Sequence, residues 1–526
     1  MIVEYVAVLV TLAAGVLLLH AAGLRGWGLA PLGHVVGVAS ISIVATLTTA
    51  LGLSTSPVLA YLLPLAAAVV VWLRRPIPRP DRQRLVAFGA VVLAPLLLIV
   101  WAMRGAHLTR VTPDSYNLMI SGSLMRQERL SEAPPRFLES WQVALGAVHG
   151  PANLQDELYL RSAMPLLAVA LLLTLAWLID RSLRGEGLPA GTAVATAALA
   201  ATLLLTTNRY LYNALYLNRH VAVAAYLLVA AAAAWGLVRG RIAPRPVLMV
   251  LLTTTLPALA VTRAETPVLA GFVALPLLTS DRLPHRQRAL VLMVLGLPVV
   301  VWNVHLLVLY AAVEERSIAA VGMLLLGTSA LLLAVPTAIG WRPANPLPRW
   351  TMPTAEFVLW SALLAAAVLD PSILLESLEA TARNVAFDHG GWGVTLVALA
   401  LAAAAVLVVT REGDRVQLRF PMTAFLPFAL LLAYLRADGG LPYRVAAADS
   451  LNRMLFHIVP LALFYVATAS TARPRWGAMS GAVDVTASGA RPSASTTPHV
   501  SRPSPASGSP SASTTSSTSD PKVEHP

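Results

Sequence analysis

The chain has 526 residues, of which 57% are hydrophobic and only 12% charged, with a mean hydropathy of +0.70. Soluble domains carry about 25% charged residues, so this sequence lacks the polar groups to cover a water-soluble surface. A soluble enzyme, a nucleic-acid-binding protein and a disordered scaffold are excluded, and an all-α polytopic membrane protein remains.

A helix needs about 20 apolar residues to cross a bilayer. In chain order, apolar runs fall at 3–22, 33–52, 57–73, 87–103, 163–179, 190–207, 220–238, 247–261, 267–279, 289–310, 318–336, 355–370, 392–410, 421–435 and 451–470. Runs 247–261 and 267–279 are short. They read either as two spans or as a re-entrant hairpin or half-helices lining a cavity, giving about 13–15 transmembrane helices. The first run has Glu4 and no basic residue in its flank, unlike a signal peptide. It reads as an uncleaved helix with the N-terminus outside. The tail 471–526 is rich in Ser, Pro and Thr and is expected to be disordered. No internal repeat of fixed period is evident.

The net charge is +12, and every basic residue but Lys522 is an arginine. The arginines stand singly or in small groups between apolar runs, as orientation signals do. One alternating set of loops, from Arg25 through Arg74, Arg75 and Arg239 to Arg475, carries 21 of them. That set is expected to be cytoplasmic, together with the tail, in a multi-pass protein of the plasma (inner) membrane. Before residue 477, sixteen carboxylates fall on the opposite side and seven on the arginine-rich side. The outer face is therefore where acid–base or anion chemistry is expected. There are no cysteines, which excludes disulfides, thiolate nucleophiles, zinc–thiolate sites and iron–sulfur clusters.

The outer segment 104–162 is long for a connector. Residues 116–125 read YNLMISGSLM and place Tyr116, Met119, Ile120 and Leu124 on one helical face, as in a helix lying flat in the interface. Asp114 stands at the head of this segment, in VTPDSYN, and reads as a helix N-cap, as a carboxylate at the mouth of a membrane cavity, or as both. The link VTRAETP at 261–267 carries Arg263 and Glu265, either a structural ion pair or a substrate contact. Segment 208–220, NRYLYNALYLNRH, combines Tyr210, Tyr212 and Tyr216 with Asn218, Arg219 and His220. It reads either as an aromatic belt or as groups suited to a sugar ring and a phosphate. The last span opens with AADSLNRMLFHIVP, and Asp449, Arg453 and His457 share one face at i, i+4, i+8. Arg453 pairs there either with Asp449 or with a lipid phosphate. No Walker A, HExxH, GxSxG or GxGxxG motif occurs in its required setting, so no nucleotide is expected to energise the reaction.

These features together resemble the GT-C class of integral-membrane glycosyltransferases: many spans, an Asp and a nearby Tyr (Asp114, Tyr116) at the head of the first large outer loop, the outer link VTRAETPVLAG, and the last core helix in ADSLNRMLFHIVPL. The resemblance covers 87–470, leaving 1–86 as an N-terminal addition. It implies a bacterial enzyme with a GT-C-like core and interfacial helices in the first outer loop. The enzyme would transfer a hexose or pentose from a polyprenyl-phosphate donor to a cell-envelope glycan, lipid or protein acceptor. It further implies that Asp114 is the catalytic base or positions the acceptor. Arg453, Arg263 and His457 would hold the donor phosphate, while Glu265, Tyr116, Arg219 and His220 line the sugar and acceptor site. Some relatives use a divalent cation, and no ligand spacing here requires one. Two other readings stand beside this one. A lipid-linked sugar flippase predicts inverted repeats and charges near the midplane. An O-antigen-type polymerase or ligase predicts a large outer loop late in the chain.

Overall fold

The computed structural model describes residues 2–51, 57–74, 163–215, 218–240, 242–263, 265–313, 342, 345–387, 389–409, 415–438 and 450–471. The expected spans at 87–103 and 318–336, the loop 104–162 with Asp114 and Tyr116, and residues 472–526 lie outside them. Among the described residues the protein is helical, without strands. The helices are α1 (Ile2–Ala22), α2 (Leu29–Ala50), α3 (Pro57–Leu73), α4 (Ala163–Gly185), α5 (Ala190–Leu205), α6 (Asn208–Leu215), α7 (His220–Arg239) and α8 (Arg245–Thr262). They continue with α9 (Thr266–Leu278), α10 (His285–Val313), α11 (Thr351–Leu369), α12 (Pro371–Ala386), α13 (Thr395–Val409), α14 (Val416–Asp438) and α15 (Ser450–Ala467).

Seven of these are long and apolar enough to cross a membrane, or eight if α5 and α6, bent by 72°, form one span. Five shorter apolar helices accompany them. This is a multi-pass membrane protein. Thirteen of the fifteen expected apolar runs coincide with a described helix. Helices α6 and α12 arise instead where the sequence reading placed outer connectors.

Helix α7 is the centre of the bundle. It is apolar around its whole circumference, and such a helix is buried on all sides. Every residue from His220 to Leu237 is indeed buried. Its eight alanines let neighbouring backbones come close, which in lipid matters more than apolar bulk, because lipid tails are as apolar as Leu. Helices α4, α8, α9, α14 and α15 pack around it. Helix α11, by contrast, leaves Phe357, Val368 and Leu369 exposed and turns most of its surface to the bilayer.

The N-terminal helices cross closely. Gly15, Gly33 and Gly37 form the contact, the latter two spaced as GxxxG. A Cβ on Gly15 would lie 1.8 Å from the Gly33 carbonyl oxygen, and one on Gly37 would lie 1.9 Å from that of Thr11. Helix α2 also packs on α4, α8 and α10, so the N-terminal helices belong to the same compact unit as the other described helices. Asp370 caps α12, accepting from the Ile373 amide at 3.3 Å and the Ser372 hydroxyl at 2.6 Å. The Ser372 hydroxyl, and then the Ile373 amide, hold this exposed carboxyl below its usual range.

Gly37→Leu is expected to separate α1 from α2 and to lower the thermal midpoint in detergent by several degrees, the scale of an overpacking cost of about 1–3 kcal/mol. Gly191→Ala, where a Cβ meets nothing within 4 Å, is the control and should melt with the wild type.

Candidate functional site at one end of the bundle

Helices α7 and α15 run side by side in the same direction. His220, the first residue of α7, meets His457 near the middle of α15, and Trp235 meets Phe464 edge-on at 5.7 Å further along both helices. The ends reached by their C-termini gather the arginine-rich links. Arg239 there makes a two-pronged contact with Glu186, at 2.6 and 3.0 Å. Arg239 and Arg415 both lie 5.9 Å from the Trp235 ring, and Arg415 also bonds the Thr468 carbonyl and hydroxyl. Arg282 reaches the Val238 carbonyl.

The opposite ends carry the residues singled out in the sequence. His220 Nδ1 lies 2.8 Å from His457 Nε2, with the rings stacked. One nitrogen donates and the other accepts, so the two rings share a proton between fixed positions. His457 Nδ1 is buried and has no hydrogen-bond partner among the described residues. Arg263 Nε contacts Glu265 Oε1 at 2.5 Å, and the two side chains are only 11% and 10% exposed. The turn between α8 and α9 is tied by Thr266, whose hydroxyl donates to the Arg263 carbonyl at 2.8 Å and accepts from the Arg263 amide at 3.0 Å.

The Arg263, Arg453 and Arg219 charges act on the His220 ring, and those of Arg263, Glu265 and Arg219 act on the His457 ring. Six of the eight sequence-predicted site residues thus come together: Arg219, His220, Arg263, Glu265, Arg453 and His457. They belong to three separated stretches of chain. The other two, Asp114 and Tyr116, lie outside the described residues, as does Asp449, the expected helical partner of Arg453.

The patch is largely buried: His220, His457, Arg219 and Glu265 are all buried. Helix α9 has only 13 residues, and its far end is fixed at the arginine-rich side, where Leu278 accepts from the Leu347 amide.

The tyrosine-rich segment divides. Tyr210 is fully buried and its hydroxyl donates to the Ala168 carbonyl at 2.7 Å, a packing role. Tyr212 is exposed beneath the Arg209 guanidinium, 5.5 Å from its ring centroid. Tyr216 is outside the described residues. An asparagine ladder sets the start of α7: Asn218 Nδ2 donates to the Asn213 carbonyl at 2.6 Å, and its Oδ1 accepts from the His220 amide at 2.8 Å.

Sequence reasoning missed a second group beside the patch: Arg209, Asn384, Gly390, Trp392 and Asn452, all buried. The signal was available, as a Gly-rich HGGWG run and an Asn inside an apolar helix.

No protein-family model, curated protein or solved structure matches the chain. Among the described residues, no group of three or more His, Asp or Glu side chains is placed to hold a metal ion.

Removing one member of a buried ion pair strands the other. Glu265→Ala is expected to destabilise the fold by about 3 kcal/mol, while replacing both Arg263 and Glu265 by Leu is expected to be close to neutral. Reversible unfolding in mixed micelles measures both.

Proposed function

We propose that the protein is a membrane glycosyltransferase that moves a sugar from a polyprenyl-phosphate donor to a cell-envelope glycan, lipid or protein acceptor at the outer face. The observation that carries this reading is the largely buried patch of Arg219, Arg263, Arg453, Glu265 and the His220–His457 pair. Three guanidiniums gather there near a buried ring nitrogen, His457 Nδ1, that has no partner among the described residues. Cationic groups set among apolar helices usually serve a partner or a substrate path, and an anionic headgroup entering from the lipid suits them. Guanidiniums hold phosphate oxygens by two-pronged, charge-assisted hydrogen bonds, which strengthen away from water.

In this reading Arg453, Arg263 and His457 hold the phosphate, and Glu265, Arg219, His220 and Tyr116 line the sugar and acceptor site. Asp114 takes the proton from the acceptor hydroxyl. The acceptor oxygen bonds to the anomeric carbon as the bond from that carbon to the phosphate oxygen breaks. The polyprenyl phosphate leaves with the bonding electrons, and the arginines stabilise the charge that develops on it. The sugar arrives already activated, which accounts for the absence of a nucleotide motif. The arginine-rich end is cytoplasmic by the positive-inside rule, so the patch faces outward and the membrane is the plasma membrane.

The test is transfer from a panel of polyprenyl-phosphate hexoses and pentoses in proteoliposomes. Asp114→Asn is expected to abolish transfer while leaving expression and donor binding intact. Arg263→Gln with Arg453→Gln is expected to weaken donor binding by at least ~100-fold, since two charged hydrogen bonds at about 1.5–3 kcal/mol each are lost. Full activity in Asp114→Asn sinks the catalytic assignment. Lipid movement without donor cleavage favours the flippase reading instead.

A further inference from the structure

The turn at 389–393 links α12 to α13 and reaches three elements of the site at once. The Trp392 indole N–H donates to Asn452 Oδ1, and Asn452 Nδ2 donates to the Gly390 carbonyl at 3.2 Å. The Gly391 carbonyl accepts from the Arg209 amide at 2.9 Å, and the Gly390 amide donates to the Asn384 carbonyl at 3.0 Å. Trp392 and Asn452 are each 1% exposed. The turn has no room to shift, because a Cβ on Gly390 would meet both the Asn384 carbonyl oxygen and the Asn452 amide group at 2.7 Å. Gly391 and Gly393 hold positive φ, at 77° and 57°, which side chains disfavour.

Two adjacent stripes run down α15. Asn452 and Phe456 form one, and Arg453 and His457 the other, each at i, i+4 and offset by one residue. The first stripe is fastened to the turn: Asn452 by its two hydrogen bonds, Phe456 by ring contacts with Trp392 at 6.5 Å and Tyr210 at 6.2 Å. Fastening one stripe fixes the rotation of the helix and hence the direction of the other. A rotation of 20° carries a group about 6 Å from the axis through about 2 Å, enough to break a 2.8 Å contact between ring nitrogens. The same turn holds α6 through Arg209, and α6 leads through the Asn213–Asn218 ladder to His220. Both halves of the histidine pair are thus indexed to one turn.

We propose that the 389–393 turn is the positioning device of the site, and that Trp392 and Asn452 are positioning residues that aim His457 at His220 and set the direction of Arg453 beside it. Its functional consequence rests on the lipid-phosphate reading above; the geometry itself does not. In this proposal they act through the rotation of α15.

The test uses the full-length protein in nanodiscs with 15N-labelled histidine, the two signals assigned by His220→Asn and His457→Asn. The wild type is expected to give a hydrogen-bonded pair, one ring nitrogen protonated and its partner not. Trp392→Phe keeps an aromatic ring at the site but removes the N–H together with the five-membered part of the indole. It is expected to keep the wild-type thermal midpoint within a few degrees while weakening or abolishing the paired signal, and Asn452→Ala is expected to act the same way. Trp360→Phe, an exposed position on α11, is expected to change nothing. A polyprenyl monophosphate titrated into the same nanodiscs should bind Trp392→Phe about ten-fold more weakly, and this loss should vanish when Arg453→Gln is already present. An intact paired signal in folded Trp392→Phe overturns the proposal, and that variant decides if Asn452→Ala fails to fold. If the wild type binds no polyprenyl monophosphate but its paired signal depends on Trp392, the positioning role stands and the lipid-phosphate reading falls.

Discussion

The contact between His220 and His457 joins the two helices at the centre of the bundle, and much of the surrounding structure keeps it in place. Inside a membrane a polar group has no water to return to, so each must be satisfied by the chain or a ligand. The protein places two imidazoles nose to nose beside three arginines and one glutamate, in a region where an isolated charge is expensive. Such an arrangement persists only if its supports are rigid. Those supports are the α8–α9 turn closed by Thr266, the asparagine ladder at the head of α7 and the Trp392–Asn452 contact.

The two ends of the bundle handle their arginines differently. At the end with Arg239 and Arg415, the guanidiniums are engaged by Glu186, by the face of Trp235 and by the carbonyl and hydroxyl of Thr468. These are structural engagements, and they knit α4, α7, α14 and the end of α15 together. At the other end Arg219, Arg263 and Arg453 gather with Glu265 about the histidine pair, a composition suited to an anionic ligand.

Small residues carry the packing. The glycines of α1 and α2 bring two backbones into contact, and the alanines of α7 let five helices approach it closely. Where side chains are large and apolar, as on α11, they turn outward to lipid. Close packing by small residues leaves little freedom for helices to rotate, and this makes a single turn such as 389–393 able to set the direction of groups on α15.

The sequence by itself determined the membrane class and nearly all the described spans. These depend on apolar run length and loop composition, which are local properties of the chain. It also singled out Arg219, His220, Arg263, Glu265, Arg453 and His457, because ionisable groups are conspicuous in so apolar a chain. Only the tertiary structure decided that these six meet, that the two histidines share a hydrogen bond, and that Tyr210 is a packing residue rather than part of a belt. It alone revealed α6, α12 and the Trp392–Asn452 contact. Those features arise from pairings between residues up to 237 positions apart. No local period encodes such pairings; they follow from how eight- to twenty-nine-residue helices of unequal length pack together.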